Sequence, residues 1–150
     1  MDIPQEQKEK PVEVKVTSDG IVISVFNRNK QPIFKGYTTE FTPWGEFVCQ
    51  NLAWTIDRFH MGVRIDAHTP KDLIPASENL NAWHLTALQS DAMRQNLVKY
   101  GLDLTKVDRI SGFADTRLLD KDNPRDLGNY RVELTLSATS DTPRPSRKTP

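Results

Sequence analysis

The sequence predicts an α+β fold in which two helices cover one face of a β-sheet. Three observations carry that reading: a hairpin signal near the start, two long segments with helical periodicity, and short alternating segments between and after them. "VEVKVTSDGIVISV" alternates apolar and polar residues on both sides of Asp19-Gly20, a pair that tolerates the positive φ of a tight hairpin turn. Thr42 followed by Pro43 supplies an N-cap and a first-turn proline, so a helix is expected from about Pro43 to Phe59. Trp44, Val48, Leu52, Ile56 and Phe59 form its apolar stripe. Phe47 and Trp54 widen that stripe into a sector broad enough for burial on two sides or for an interface.

"VRIDAHTP", residues 63 to 70, reads as a strand that ends on a polar cluster. Val63, Ile65 and Ala67 share one face, Arg64, Asp66 and His68 share the other, and Pro70 can donate no further ladder bond. A loop with Pro75 and Ser77 leads to a second helix from about Leu80 to Tyr100, stopped by Gly101. Thr86, Ser90, Met93, Leu97 and Tyr100 recur at steps of four and three and define its inward face. "VDRISGFA" is the next strand, ending at Gly112. "NYRVELTL" is the last, with Tyr130, Val132, Leu134 and Leu136 on one side and Arg131, Glu133 and Thr135 on the other.

The organisation is a linker at 1–11, one domain at 12–138 and a disordered tail at 139–150, the last rich in Ser, Thr, Pro and basic residues. Twenty Lys plus Arg balance twenty Asp plus Glu, so the basic excess of a nucleic-acid binder is absent. No apolar run reaches the roughly 18 residues that span a bilayer, and no signal-peptide core follows Met1. The sequence reads as a soluble piece, compatible with excision from a larger membrane protein. Cys49 stands alone, which rules out an internal disulfide.

Little in the chain points to catalysis. Asp66 and His68 share a strand face, but neither they nor His60 and His84 show metal-ligand spacing, and no nucleophile elbow or phosphate loop occurs. The expectation is no enzyme, no cofactor and no metal. Binding is the better prospect, because loops after strand ends gather ligand groups. Three such loops converge: the one after His68, the helix start at "NAWHLT", and the stretch from Gly112 to Asn129. An anion would meet free N–H groups at the helix start, and Arg131 offers a bidentate contact to a carboxylate. Pairing of Arg131 with Asp115 or Glu133 is the alternative.

Four stretches in order, "AHTP" at 67–70, "WHLTALQS" at 83–90, "GFADTRLL" at 112–119 and "NYRVEL" at 129–134, resemble the OmpA-like peptidoglycan-binding domain. Within that family the likeness is specifically to the periplasmic domain of the flagellar stator protein MotB. That family reads Gly-His-Thr-Asp, then Asn-Trp-x-Leu-Ser-x-x-Arg-Ala, Gly-x-x-Asp-x-x-Pro-Leu and Asn-Arg-Arg-Val-Glu-Ile. The resemblance covers about residues 12 to 138 and implies an OmpA-like β-α-β-α-β-β layer, with two helices on one face of a mixed sheet, behind an N-terminal hairpin.

The resemblance places ligand-binding positions at Thr69, Pro70, Leu85, Thr86, Gln89, Asp115, Asn129 and Arg131. It also implies departures. The family's Asp and Arg that hold the diaminopimelate of the stem peptide stand here as Pro70 and Gln89, and the first Arg of Asn-Arg-Arg is Tyr130. Losing both charged partners weakens such a site by several kcal/mol. Two functions follow as expectations. One is a periplasmic anchor to the cell wall, part of a MotB-type stator whose inner-membrane helix and channel partner belong to missing N-terminal sequence, binding the peptidoglycan stem peptide weakly. The other is a degenerate module for dimerisation or assembly in the envelope. MotB relatives also imply a homodimer, for which Phe47 and Trp54 are interface candidates, unless the hairpin covers them.

Overall fold

The computed structural model describes residues 10–73 and 81–138. Most of the expected linker, the loop segment with Pro75 and Ser77, the helix start at Leu80 and the 139–150 tail lie outside the described residues.

The hairpin forms from β1 (Val12–Thr17) and β2 (Gly20–Phe26). Its turn sits one residue earlier than expected: Ser18 and Asp19 are the loop, and Gly20 closes the ladder opposite Thr17. The reason is local. Thr17 Oγ1 accepts from Asp19 N at 3.2 Å and donates to Gly20 O at 3.3 Å, while Gly20 takes φ +131, where a Cβ would lie 2.1 Å from Leu136 O.

Residues 27–42 form a loop whose role the periodicity does not announce. Asn27 Oδ1 accepts from Ile33 N and Phe34 N, Phe34 and Phe41 pair across a single bridge, and Ile33 and Phe34 are completely buried. Thr42 then caps α1 (Pro43–Asp57), its Oγ1 accepting from Gly45 N at 3.0 Å. The buried face of α1 is Gly45, Val48, Cys49, Ala53 and Ile56. Phe59 falls beyond the helix end at Arg58 and is exposed.

β3 (Met61–His68) follows, then α2 (Ala82–Lys99), capped by Asn81 accepting from His84 N. Its buried side, Leu85, Thr86, Gln89, Ser90, Met93, Asn96 and Leu97, contains the expected stripe except Tyr100, which is the half-buried C-cap and donates its hydroxyl to Glu46 Oε2. Gly101 at φ +110 reverses the chain, so that Leu102 N reaches Leu97 O at 2.9 Å. β4 (Val107–Gly112) and β5 (Arg131–Ala138) complete a five-stranded sheet in the order β1-β2-β5-β3-β4. Only β3 and β4 run parallel; the remaining pairs are antiparallel, so the sheet is mixed.

Register builds the core. Ile23, Leu134 and Ile65 lie in one row across β2, β5 and β3, with Val25, Val132 and Ala67 in the next. These side chains meet Val48, Ala53 and Ile56 of α1 and Met93 and Leu97 of α2. Both helices pack against the mixed sheet, as the pattern predicts. Among the described residues no helix is long and apolar enough to cross a membrane.

Candidate functional site

The end of β3 is tied down from three sides. Thr69 N donates to Ala114 O at 2.8 Å, Phe113 N donates to Ala67 O, and Lys71 N reaches Pro124 O at 2.7 Å. The loop after β4 thus folds back over the strand end, with Ala114 in the left-handed region at φ +54. Thr86 secures the same loop from α2: its Oγ1 accepts from Ala114 N and donates to Ala82 O. Helix and strand approach so closely there that only glycine fits at 112, since a Cβ would lie 2.4 Å from Ala87 N and 2.6 Å from Thr86 Oγ1. Leu85 is buried beside it, and Pro70 is buried as the turn residue.

Alternation along β5 divides the candidate residues between the two faces of the sheet. On the helix face, Gln89 is completely buried; its Nε2 donates to Tyr130 Oη at 2.8 Å and to Thr38 O at 3.1 Å. Tyr130 Oη in turn donates to Gly36 O at 3.2 Å, and burial pushes its phenol up to about 12. An amide and a phenol therefore occupy the two positions where the resembled family carries arginines, and they bind each other beneath the 36–38 loop.

On the opposite face, Arg131 is only 4% exposed. Its Nε donates to Glu133 Oε2 at 2.5 Å, Nη1 to Asn129 O at 2.9 Å and Nη2 to Arg117 O at 3.0 Å. Of the two roles open to it from sequence, the pairing with Glu133 is present. Asn129 is likewise committed, accepting from Asp120 N at Oδ1 and donating from Nδ2 to Asn123 O. The Asp115 side chain is half-buried and has no hydrogen bond or ion pair among the described residues.

His68 stands directly opposite Arg131 and stacks on Phe113 with ring centroids 5.2 Å apart. Burial, with Arg131 and Arg117 adding to it, pushes its imidazole down to about 3. The ring is therefore neutral near pH 7, and its 3.8 Å approach to Glu133 Oε1 is not an ion pair there. Both ring nitrogens and Thr69 Oγ1 are buried with no hydrogen-bond partner among the described residues. The sequence leads one to expect that His68 hydrogen-bonds locally at the strand end; instead its ring is buried against Phe113 with neither nitrogen bonded among the described residues. Phe47 and Trp54 are 56% and 62% exposed; the hairpin lies within the sheet and does not cover them. Among the described residues no group of His, Cys, Asp and Glu could hold a metal.

The depressed His68 predicts a pH dependence. The unfolded chain takes up a proton below about 6.5 that the folded chain refuses until about pH 3, so stability falls as pH drops through that window, by roughly 1.4 kcal/mol per unit. Chemical denaturation at pH 7 and pH 5 should differ by about 2 kcal/mol, and His68→Gln should flatten most of that slope. Glu46 and Asp91, held below the usual carboxylate range by Tyr100 and Arg94 respectively, act at lower pH and leave this interval clear.

No family model matches the chain. In sequence it is 26% identical over 134 residues to a protein of Escherichia coli K12 described as a truncated flagellar export/assembly protein, LafU, covering 87% of this chain and 63% of LafU. The chain thus spans less than two thirds of that relative's length. In structure it matches the periplasmic domain of Helicobacter pylori MotB with TM-score 0.72 at 13% identity, over 86% of this chain and 90% of that one. The cell wall anchor of the type VI secretion system from Pseudomonas aeruginosa gives TM-score 0.71 at 18% identity, over 89% and 92%. The resemblance to MotB periplasmic and OmpA-like domains read from the motifs is thereby matched by the fold.

Proposed function

We propose, from the fold shared with MotB periplasmic and OmpA-like domains, that this chain is the periplasmic part of a stator-type membrane protein and anchors a complex to the cell wall. In this reading an N-terminal membrane helix and a channel partner belong to sequence beyond this chain, and no catalysis is involved. The ligand is the peptidoglycan stem peptide, taken at the end of β3 by an altered and largely uncharged site.

The observation that carries the proposal is the set of orphaned polar atoms on His68 and Thr69. An unmade hydrogen bond in a buried site costs about 1–3 kcal/mol, so three such atoms in adjacent residues favour a site completed by something from outside. Asp115, whose carboxylate has no partner among the described residues, supports it as a group that can receive an ammonium. The test is co-sedimentation with purified sacculi. Retention above an unrelated protein is expected, and Thr69→Val should weaken it about tenfold without lowering the melting temperature, because Thr69 Oγ1 holds nothing inside the fold. Retention no better than the unrelated protein would sink the anchoring role.

One observation favours a second reading, an assembly module without ligand chemistry. The Gln89–Tyr130 pair closes the helix face of the site, and Asn129 and Arg131 spend hydrogen bonds on their own loops.

A further inference from the structure

Among the described residues no strand pairs with the outer edge of β1, and that strand is written as a palindrome of chemistry: Val12-Glu13-Val14-Lys15-Val16. Pro11 O accepts from Phe26 N, so Pro11, Glu13, Lys15 and Thr17 turn their backbone groups inward to β2. Val12, Val14 and Val16 therefore direct theirs outward. Their side chains all lie on the helix side of the sheet, yet Val14 is 60% exposed and Val16 84%. The valines of Val14 and Val16 extend past what the helices cover, while Glu13 and Lys15 point to the opposite face.

We propose that a second copy of this chain pairs with β1 in antiparallel fashion, on a two-fold axis through Val14. Charge complementarity selects both occupant and register. With the axis at Val14, each Glu13 faces the other copy's Lys15, and Val12 faces Val16. Every outward N–H and C=O on the three valines finds a partner. A slip of one step either way sets Lys15 against Lys15 or Glu13 against Glu13, which cross-strand pairing disfavours. The Glu13–Lys15 pairs fall at positions without mutual backbone bonds, where side chains stand closest. On the helix side, the valines of both copies join into one apolar strip, removing Val14 and Val16 from water. An edge lysine ordinarily blocks such pairing; here Glu13 two residues away turns that block into a lock that accepts its own copy. This surface is separate from Phe47 and Trp54 on α1 and does not depend on any ligand at β3.

The test is the mass of the full chain in solution by sedimentation over a concentration series. A reversible monomer–dimer equilibrium is expected. Lys15→Glu and Glu13→Lys should each weaken it by roughly tenfold or more. Mixing those two variants should restore dimers, because each then offers the charge the other lacks. Val14→Pro should abolish dimers while leaving the far-ultraviolet circular dichroism intact, since that N–H does not serve β2. Trp54→Glu should leave the equilibrium unchanged. A wild-type monomer at every concentration overturns the proposal. So does a dimer that ignores Lys15→Glu and Val14→Pro, or single variants that fail to recover on mixing.

Discussion

Gly112→Val should lower folding stability by about 3 kcal/mol, seen as a fall in the urea midpoint with an unchanged slope. The atoms a side chain would meet there are not flexible tips. They are Ala87 N, part of the α2 backbone, and Thr86 Oγ1, which holds Ala114 N. Relief therefore requires lifting the first turns of α2 from the end of β4, and with them the hydrogen bond from Ser90 Oγ to Ser111 O. Gly112→Ala should show a smaller loss of the same kind. A loss below about 1 kcal/mol for the valine variant would mean that helix and strand are not in the contact described.

Arg131→Met should cost about 2–3 kcal/mol. Removing one partner of a buried ion pair is destabilising because the other charge is left without it; Glu133 keeps some solvent, which trims the effect. The Asn129 and Arg117 carbonyls lose their donor as well, so the loop between β4 and β5 should exchange amide hydrogens faster. A second signature separates this from ordinary core damage. Arg131 is among the charges that, after burial, hold His68 low, so in the variant the pH window of acid-side loss should also narrow from its low-pH end. It follows that lost sacculus retention in an Arg131 variant reports loop integrity as much as ligand contact, whereas Thr69→Val isolates the site.

The elements were legible because their signals are local. Thr42-Pro43 fixes a helix start, Gly101 fixes a stop, and strict alternation marks β1, β2 and β5. The 27–42 loop was not legible, because Ile33 and Phe34 are buried through hydrogen bonds to the Asn27 side chain rather than through a period. The α1 face was half legible. Large residues drew attention to Phe47, Trp54 and Phe59, all exposed, while the small Gly45, Cys49 and Ala53 allow the close packing. The place of the proposed site, at the end of β3, is where the motifs put it as an expectation. Its division between two faces was present in the neighbouring Tyr130 and Arg131, since adjacent strand residues point opposite ways. The neutrality of His68 depends on burial by Phe113 and on two arginines from distant sequence, which no linear pattern shows.

The Gln89–Tyr130 pair has a consequence for ionic strength. Neither member carries charge in the physiological range, so the contact between α2 and the 36–38 loop is insensitive to added salt. The guanidinium–carboxylate pair across the sheet is the part that counterions can reach, through Glu133. Salt therefore acts on one side of β5 and leaves the other as it was.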